Sequence, residues 1–222
     1  MNIGNKLVRK PVIAAIDAGF YYHHQSLLEE PFAHFFDQVI YIRDVPLTDL
    51  KQFDTLIIPC RTNAYQLAPL SEQFQDFMKT GGRLVVMGET FPDRWLPNVN
   101  FTGMETNFWW WLEEGADLGV RIVDKEHSMA VHVSKEVATW HLHGTLDPLG
   151  DNQKSLIATK EGECLMFEDI DSYAPGRLIV TTLDPFFHHG SHFMPTTTLF
   201  LERFLTWLSE DQTLKARKSR AA

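Results

Sequence analysis

Histidines and carboxylates recur in this chain at spacings that suit chemistry. The run His188-His189-Gly190-Ser191-His192 places two adjacent imidazoles close to a third. Imidazole and carboxylate donors suit zinc or iron, so His188, His189 and His192 are candidate metal ligands, with Glu89 or Asp184 adding an oxygen. Glu89, Asp184 and His189 are the candidate catalytic groups. No strong metal motif such as HExxH is matched, and the same histidines read more readily as loop donors or polar caps. His141 and His143, two apart, share a face if they lie on a strand, and converge on an ion in that case. Glu89 and Asp184 also form a candidate acid/base pair, because close approach raises one carboxyl pKa. Arg61 either pairs statically with Glu89 or clamps an anionic ligand.

Other chemistries lack support. The sequence has no GxGxxG, GxxxxGK[ST] or GxSxG, which removes the usual phosphate loops and the serine elbow. A formal net charge of -9 argues against a nucleic-acid backbone as partner. Lys215, Arg217, Lys218 and Arg220 read as a solvated end, with a flexible tail expected over about 211–222. Two cysteines, Cys60 and Cys164, are too few for a disulfide framework and fit a reducing, cytoplasmic setting. The opening MNIGNKLVRKPVIAAID leads straight into a buried strand, so neither a signal peptide nor a membrane span is expected.

The elements that position these residues follow from hydrophobic pattern. Short apolar runs at Val12–Ile16, Gln38–Ile42, Thr55–Pro59 and Arg83–Met87 alternate with helical patterns at Ser26–Phe36 and Ser71–Lys79, the signal for βαβ units around a parallel sheet. A half-turn is expected at Pro46–Gln52. Ser26 and Ser71 are expected N-caps, and Gly81-Gly82 a left-handed C-cap. Further strands are expected near Gly119–Val123, Ser155–Thr159, Glu163–Glu168 and Arg177–Thr182. A last helix, Thr196–Ser209, presents Leu199, Phe200, Phe204, Leu205 and Leu208 as its apolar stripe. Between the halves, Asn107 to Glu114 carries the aromatic cluster Phe108–Trp111 on a short helix; adjacent tryptophans on a helix point in different directions, so only part of it can face one partner. The whole, 1–222, reads as one α/β domain, flavodoxin-like, three-layered and with a mostly parallel central sheet.

The order of segments resembles the class I glutamine amidotransferase-like superfamily. Phe53 to Pro59 is similar to a strand of that family ending in a tight turn, and Phe77 to Gly88 to the helix and strand that lead into its nucleophile elbow. Trp140 to Gly144, Asp147 to Gly150 and Ser155 to Ala158 resemble its hairpin region. Gly176 to Asp184 and the helix ending in Leu205 to Leu208 resemble the close of the trehalose-utilization-like branch. The match runs from about residue 11 to 209. A glutaminase needs a thiolate at the elbow and a carboxylate-held histidine. The elbow here reads Gly88-Glu89-Thr90-Phe91, and Leu183-Asp184-Pro185 stands where the family has His-Pro-Glu. Cys60 follows a different strand and is expected to be structural.

In open parallel sheets ligands settle at the carboxyl ends of the strands. This collects Asp17, Arg61, Asn63, Glu89, Thr90, His141, Asp184 and His188 as expected ligand-binding residues. The first reading is an amidotransferase-like protein without glutaminase activity that binds a small polar molecule, carbohydrate-related by resemblance. The second is a metal-dependent enzyme built on the histidines, and whether the chain is an enzyme stays open between the two. A third is an interaction protein that forms a homo-oligomer through Phe108–Trp111. No cofactor is expected beyond a divalent metal.

Overall fold

The computed structural model describes residues 10–105 and 109–211. Its strands are β1 (Ile13–Asp17), β2 (Gln38–Tyr41), β3 (Thr55–Ile58), β4 (Arg83–Met87), β5 (Thr102–Gly103), β6 (Arg121–Ile122), β7 (Gly144–Thr145), β8 (Gln153–Ala158), β9 (Cys164–Asp169) and β10 (Arg177–Thr181). The helices are α1 (Tyr21–Leu27), α2 (Ala64–Leu67), α3 (Ser71–Lys79), α4 (Lys135–Ala138), α5 (Pro185–Gly190) and α6 (Pro195–Glu210). Eight strands form the main sheet in the order β2-β1-β3-β4-β10-β9-β8-β6. The first five are mutually parallel, and β9, β8 and β6 continue the sheet antiparallel. This is the expected flavodoxin-like, three-layer α/β architecture.

The apolar runs are continuous because both faces of the sheet are covered. Alternate residues enter different cores. Ile13, Ala15, Ile57, Val85, Met87 and Ile179 pack on one face with Phe186 of α5 and Phe200, Phe204 and Leu208 of α6. Ala14, Ile16, Leu56, Ile58, Leu84, Val86, Leu178 and Val180 pack on the other with Phe74, Phe77 and Met78 of α3. The α6 stripe is Thr197, Phe200, Leu201, Phe204, Leu205 and Leu208, with Trp207 beside it. Leu199, expected on it, is exposed, since it falls off the 3.6-residue period.

Two helix starts differ from expectation. The helix expected at Ser26–Phe36 begins instead at Tyr21 and ends at Leu27, with only a 3₁₀ turn at Ala33–Phe35 beyond it. Pro31, without an N–H and restricting Glu30, prevents continuation. Ser26 therefore lies in the last turn of α1, where its buried hydroxyl donates to the Phe186 carbonyl at 2.7 Å. Ser71 does not cap α3 either: a 3₁₀ turn at Ala68–Leu70 runs into it, and its hydroxyl donates to the Trp95 carbonyl. The expected C-cap is present. Gly81, at φ +98°, donates to Met78 O and Gly82 to Phe77 O, the paired bonds of a Schellman motif.

At the amino ends of β4 and β10 lies a buried ionic network. Arg83, fully buried, reaches Asp211 Oδ2 at 2.7 Å and the Leu208 carbonyl at 2.8 Å. Arg177 holds Glu168 at 2.8 Å, and His127 approaches the other Glu168 oxygen at 3.1 Å. The expected tail boundary near 211 thus meets a buried, paired Asp211; the expectations for Phe108 and for 212–222 lie outside the described residues. No helix among the described residues is long and apolar enough to cross a membrane.

Candidate functional site at the carboxyl ends of the strands

The strand order reverses its direction of growth at β1 and β3, so the loops after these two strands part and leave a crevice. A buried imidazole fixes their separation. His23 Nδ1 accepts the Ala18 N–H at 3.2 Å, which leaves Nε2 as the donor to the Cys60 carbonyl at 2.9 Å. Burial lowers the pKa of this ring, partly offset by the Cys60 hydrogen bond and Asp17, so it stays neutral as a strut between the two loops. Sequence reasoning missed it. Asp17 turns back on its own loop, accepting the Gly19 N–H at 2.7 Å and standing 3.9 Å from His23 Nδ1.

After β3, Arg61 adopts φ +64°, a conformation disfavoured for any side chain larger than glycine. The backbone kink delivers the guanidinium to the centre of the site. It lies 3.8 Å over the Phe187 ring, 3.2 Å from Glu89 Oε2 and 3.7 Å from Asp184 Oδ2. Asn63 is an N-cap: its Oδ1 accepts the Tyr65 N–H at 2.8 Å and starts α2.

The elbow after β4 is tight. Gly88 has φ +62°, and a Cβ there would stand 2.4 Å from Cys60 Cβ and 2.6 Å from Asp184 Cβ. Three strand ends are thereby drawn together, and the Gly88 N–H donates to the Thr181 carbonyl at 2.7 Å. Glu89 follows, partly exposed, with Oε1 3.8 Å from His143 Nδ1. Thr90 is fully buried, and its hydroxyl finds no partner among the described residues.

Asp184 sits immediately before α5, with Pro185 at the first helical position, where a missing N–H does no harm. His188, four residues on, shares its face, and Nε2 lies 3.1 Å from Asp184 Oδ1. His143 arrives from the loop before β7 and places Nε2 3.1 Å from the same oxygen. All three side chains are buried. Burial would raise the Asp184 pKa, but His143 and His188 hold it below the usual range. For His143, burial works downward and Asp184 outweighs it, so its pKa is raised. The contacts with Asp184 are short but lack hydrogen-bond geometry: neither Asp184 oxygen and neither His188 nitrogen makes a hydrogen bond to a described residue.

His141 is not on a strand. It is buried against His188, ring centres 4.8 Å apart, and burial, then His188 and His143, lowers its pKa to about 4. His189 and His192 are not brought to Asp184. Adjacent helical positions diverge by about 100°, so His189 points to Thr198 Oγ1 at 2.9 Å and packs its ring on Phe32. His192 follows the end of α5 at φ +58° and is exposed. A groove of about 250 Å³ is shared by His188, His189 and His192.

Two cavities meet at Arg61. One, of about 370 Å³, is lined by Phe20, Arg61, Asn63, Tyr65, Glu89 and Arg94 among others. The second, of about 450 Å³, is lined by Arg61, Trp109, Phe187, His188, Ser191 and Phe193. Trp109, a member of the aromatic cluster, lies beside the site, is largely exposed and meets Phe193 edge-on. Both thiols are buried. Burial pushes Cys164 up to about 11 and Cys60 well above the ordinary thiol range, so neither is a ready nucleophile.

No protein-family model and no curated protein sequence matches the chain. Solved structures do. A putative GMP synthase subunit from Thermoplasma acidophilum superposes with a TM-score of 0.59 at 10% identity, over 97% of this chain and 100% of that one. An exo-β-1,4-mannosidase from Opitutaceae bacterium strain TAV5 matches at TM-score 0.51 and 11% identity, over 90% of this chain. A β-galactosidase from Rahnella sp. R3 gives 0.51 and 16%, over 92%. This chain spans 36% and 32% of those two glycosidases. At such identities the likeness is one of fold alone.

Proposed function

Taking that shared fold as the premise, we propose that the protein is amidotransferase-like, that it binds a small polar ligand carrying an anionic group, of the sugar-acid kind, in the strand-end cleft, and that it performs no glutaminase chemistry. The single observation that carries the reading is the cavity of about 370 Å³ at the switch point with Arg61 and Arg94 on its wall. Arg61 is already held by Glu89 at 3.2 Å. Arg94 lies over the Phe91 ring at 4.4 Å and has no carboxylate partner among the described residues, so its charge is available to an incoming anion. Phe20, Tyr65 and Phe91 give the same wall aromatic surface, which suits the apolar face of a sugar ring.

Against glutaminase activity stand the elbow Gly88-Glu89-Thr90, which has no thiol, and the burial of Cys60. Leu183-Asp184-Pro185 follows the last parallel strand, where the resembled family has His-Pro-Glu, so no histidine stands in that segment.

A thermal-shift screen of neutral sugars and sugar acids tests the proposal, because a ligand that binds only the folded state raises the melting temperature. Sugar acids should stabilise the wild type, with the shift reduced in Arg94→Ala and neutral sugars less effective. Silence across the screen, or an undiminished shift in Arg94→Ala, overturns it.

A further inference from the structure

We propose that His143, Asp184 and His188 form a binding site for one divalent first-row transition-metal ion at the floor of the cleft. This goes beyond the ligand reading and stands without it.

His143 Nε2 and His188 Nε2 each lie 3.1 Å from Asp184 Oδ1, and the three donor atoms fall within 4.8 Å of one another. Donors at about 2.1 Å from a shared ion stand roughly 3.0–3.4 Å apart at octahedral or tetrahedral angles. Two edges of the triangle already have that length, and the third, within 4.8 Å, reaches about 3.4 Å when the two imidazoles together approach by up to about 1.4 Å.

Asp184 and His188 are 0% and 2% exposed, yet neither the two carboxylate oxygens nor the two imidazole nitrogens hydrogen-bond to a described residue. A buried polar group without a hydrogen-bond partner carries an uncompensated desolvation cost, larger when it is charged. An ion between them satisfies Asp184 and His188 together and takes His143 Nε2 as its third ligand.

The surroundings fit a ligand shell. A histidine bound to metal through one nitrogen commonly directs the other to a carboxylate, which fixes its tautomer. His143 presents Nε2 to Asp184 and Nδ1 toward Glu89 Oε1 at 3.8 Å. Arg61 stands 3.7 Å from Asp184 Oδ2 and 3.2 Å from Glu89 Oε2, holding both carboxylates from the side opposite the donor oxygen. With neutral imidazoles, Asp184, Glu89 and Arg61 sum to -1, so a dication leaves a local charge of only +1. The cavity of about 450 Å³ reaches His188 and gives an entry path. Two imidazoles and one carboxylate are the donor set of zinc, iron(II), manganese(II) or cobalt(II), rather than magnesium or calcium.

Untagged protein stripped with chelator and returned to chelator-free buffer is titrated with Zn²⁺ by calorimetry and with Co²⁺ by visible absorption, no organic ligand being present. One equivalent per chain is expected, with a rise in melting temperature. His143→Gln, Asp184→Asn and His188→Gln should each weaken binding at least tenfold, while His189→Gln and His192→Gln leave it intact. Circular dichroism identifies any variant that fails to fold, and the remaining variants then decide. Absence of a stoichiometric site in the wild type overturns the proposal, as does wild-type affinity in folded His143→Gln or His188→Gln. Running the sugar-acid screen in the presence of chelator lets failure of the ligand reading and failure of the metal site be read separately.

Discussion

Replacing Gly88 with alanine is expected to be among the most destabilising single-methyl changes in this protein. Two effects add. At φ +62°, any residue with a Cβ meets a backbone penalty of about 1–2 kcal/mol. The new methyl would also stand 2.4 Å from Cys60 Cβ and 2.6 Å from Asp184 Cβ. Both are Cβ atoms, which move only with their backbones, so no rotamer change relieves the overlap. Such overpacking costs about 1–3 kcal/mol, giving a total of about 2–5 kcal/mol for Gly88→Ala. Gly162 supplies the control. It has φ +95°, and a Cβ there meets nothing within 4 Å, so Gly162→Ala carries only the backbone part, about 1–2 kcal/mol. Urea unfolding of the wild type and both variants measures the difference through the midpoint at constant slope. A Gly88→Ala loss no larger than that of Gly162→Ala would refute the claim that this elbow is closed by contact between three strand ends.

Asp211→Ala leaves the fully buried Arg83 without its 2.7 Å partner; removal of one member of a buried pair costs about 3–5 kcal/mol, and a loss below about 1 kcal/mol in urea unfolding would show the network to be dispensable. His23 has a folded-state pKa below its unfolded value of 6.5, so the unfolded chain binds the proton first and stability falls as pH drops below 6.5, with a slope of at most about 1.4 kcal/mol per pH unit for one proton. His141 and His189 act in the same sense and His143 in the opposite one. The wild type should therefore show a steeper fall between about pH 6.5 and 5 than His23→Gln, and equal slopes would remove His23 as a neutral strut.

Much of the fold was legible because its causes are local. Runs such as Leu84-Val85-Val86-Met87 have no polar residue to face water, so they belong to strands covered on both faces. Gly81-Gly82 announced the end of α3 because only glycine is relaxed at φ +98°. The helix expected from Ser26 failed for an equally local reason, Pro31, whose effect outweighs the apolar periodicity around it.

The site divides differently. Arg61, Glu89 and Asp184 were legible because residues that follow parallel strands must gather at one edge of the sheet. The Asp184/His188 pair carried a signal in its i, i+4 spacing, whereas the visually stronger His188-His189-His192 run did not converge, because adjacent helical positions point about 100° apart. Proximity in sequence is not proximity in space on a helix. What only the tertiary structure decided is the arrival of His143 beside Asp184, of Asp211 beside Arg83 across 128 positions of chain, and of the His23 ring between two loops. Those meetings depend on how whole layers pack, a non-local balance of apolar burial that no short pattern records. The sequence by itself determined which strands are buried and which residue types crown them; packing determined which of those residues touch.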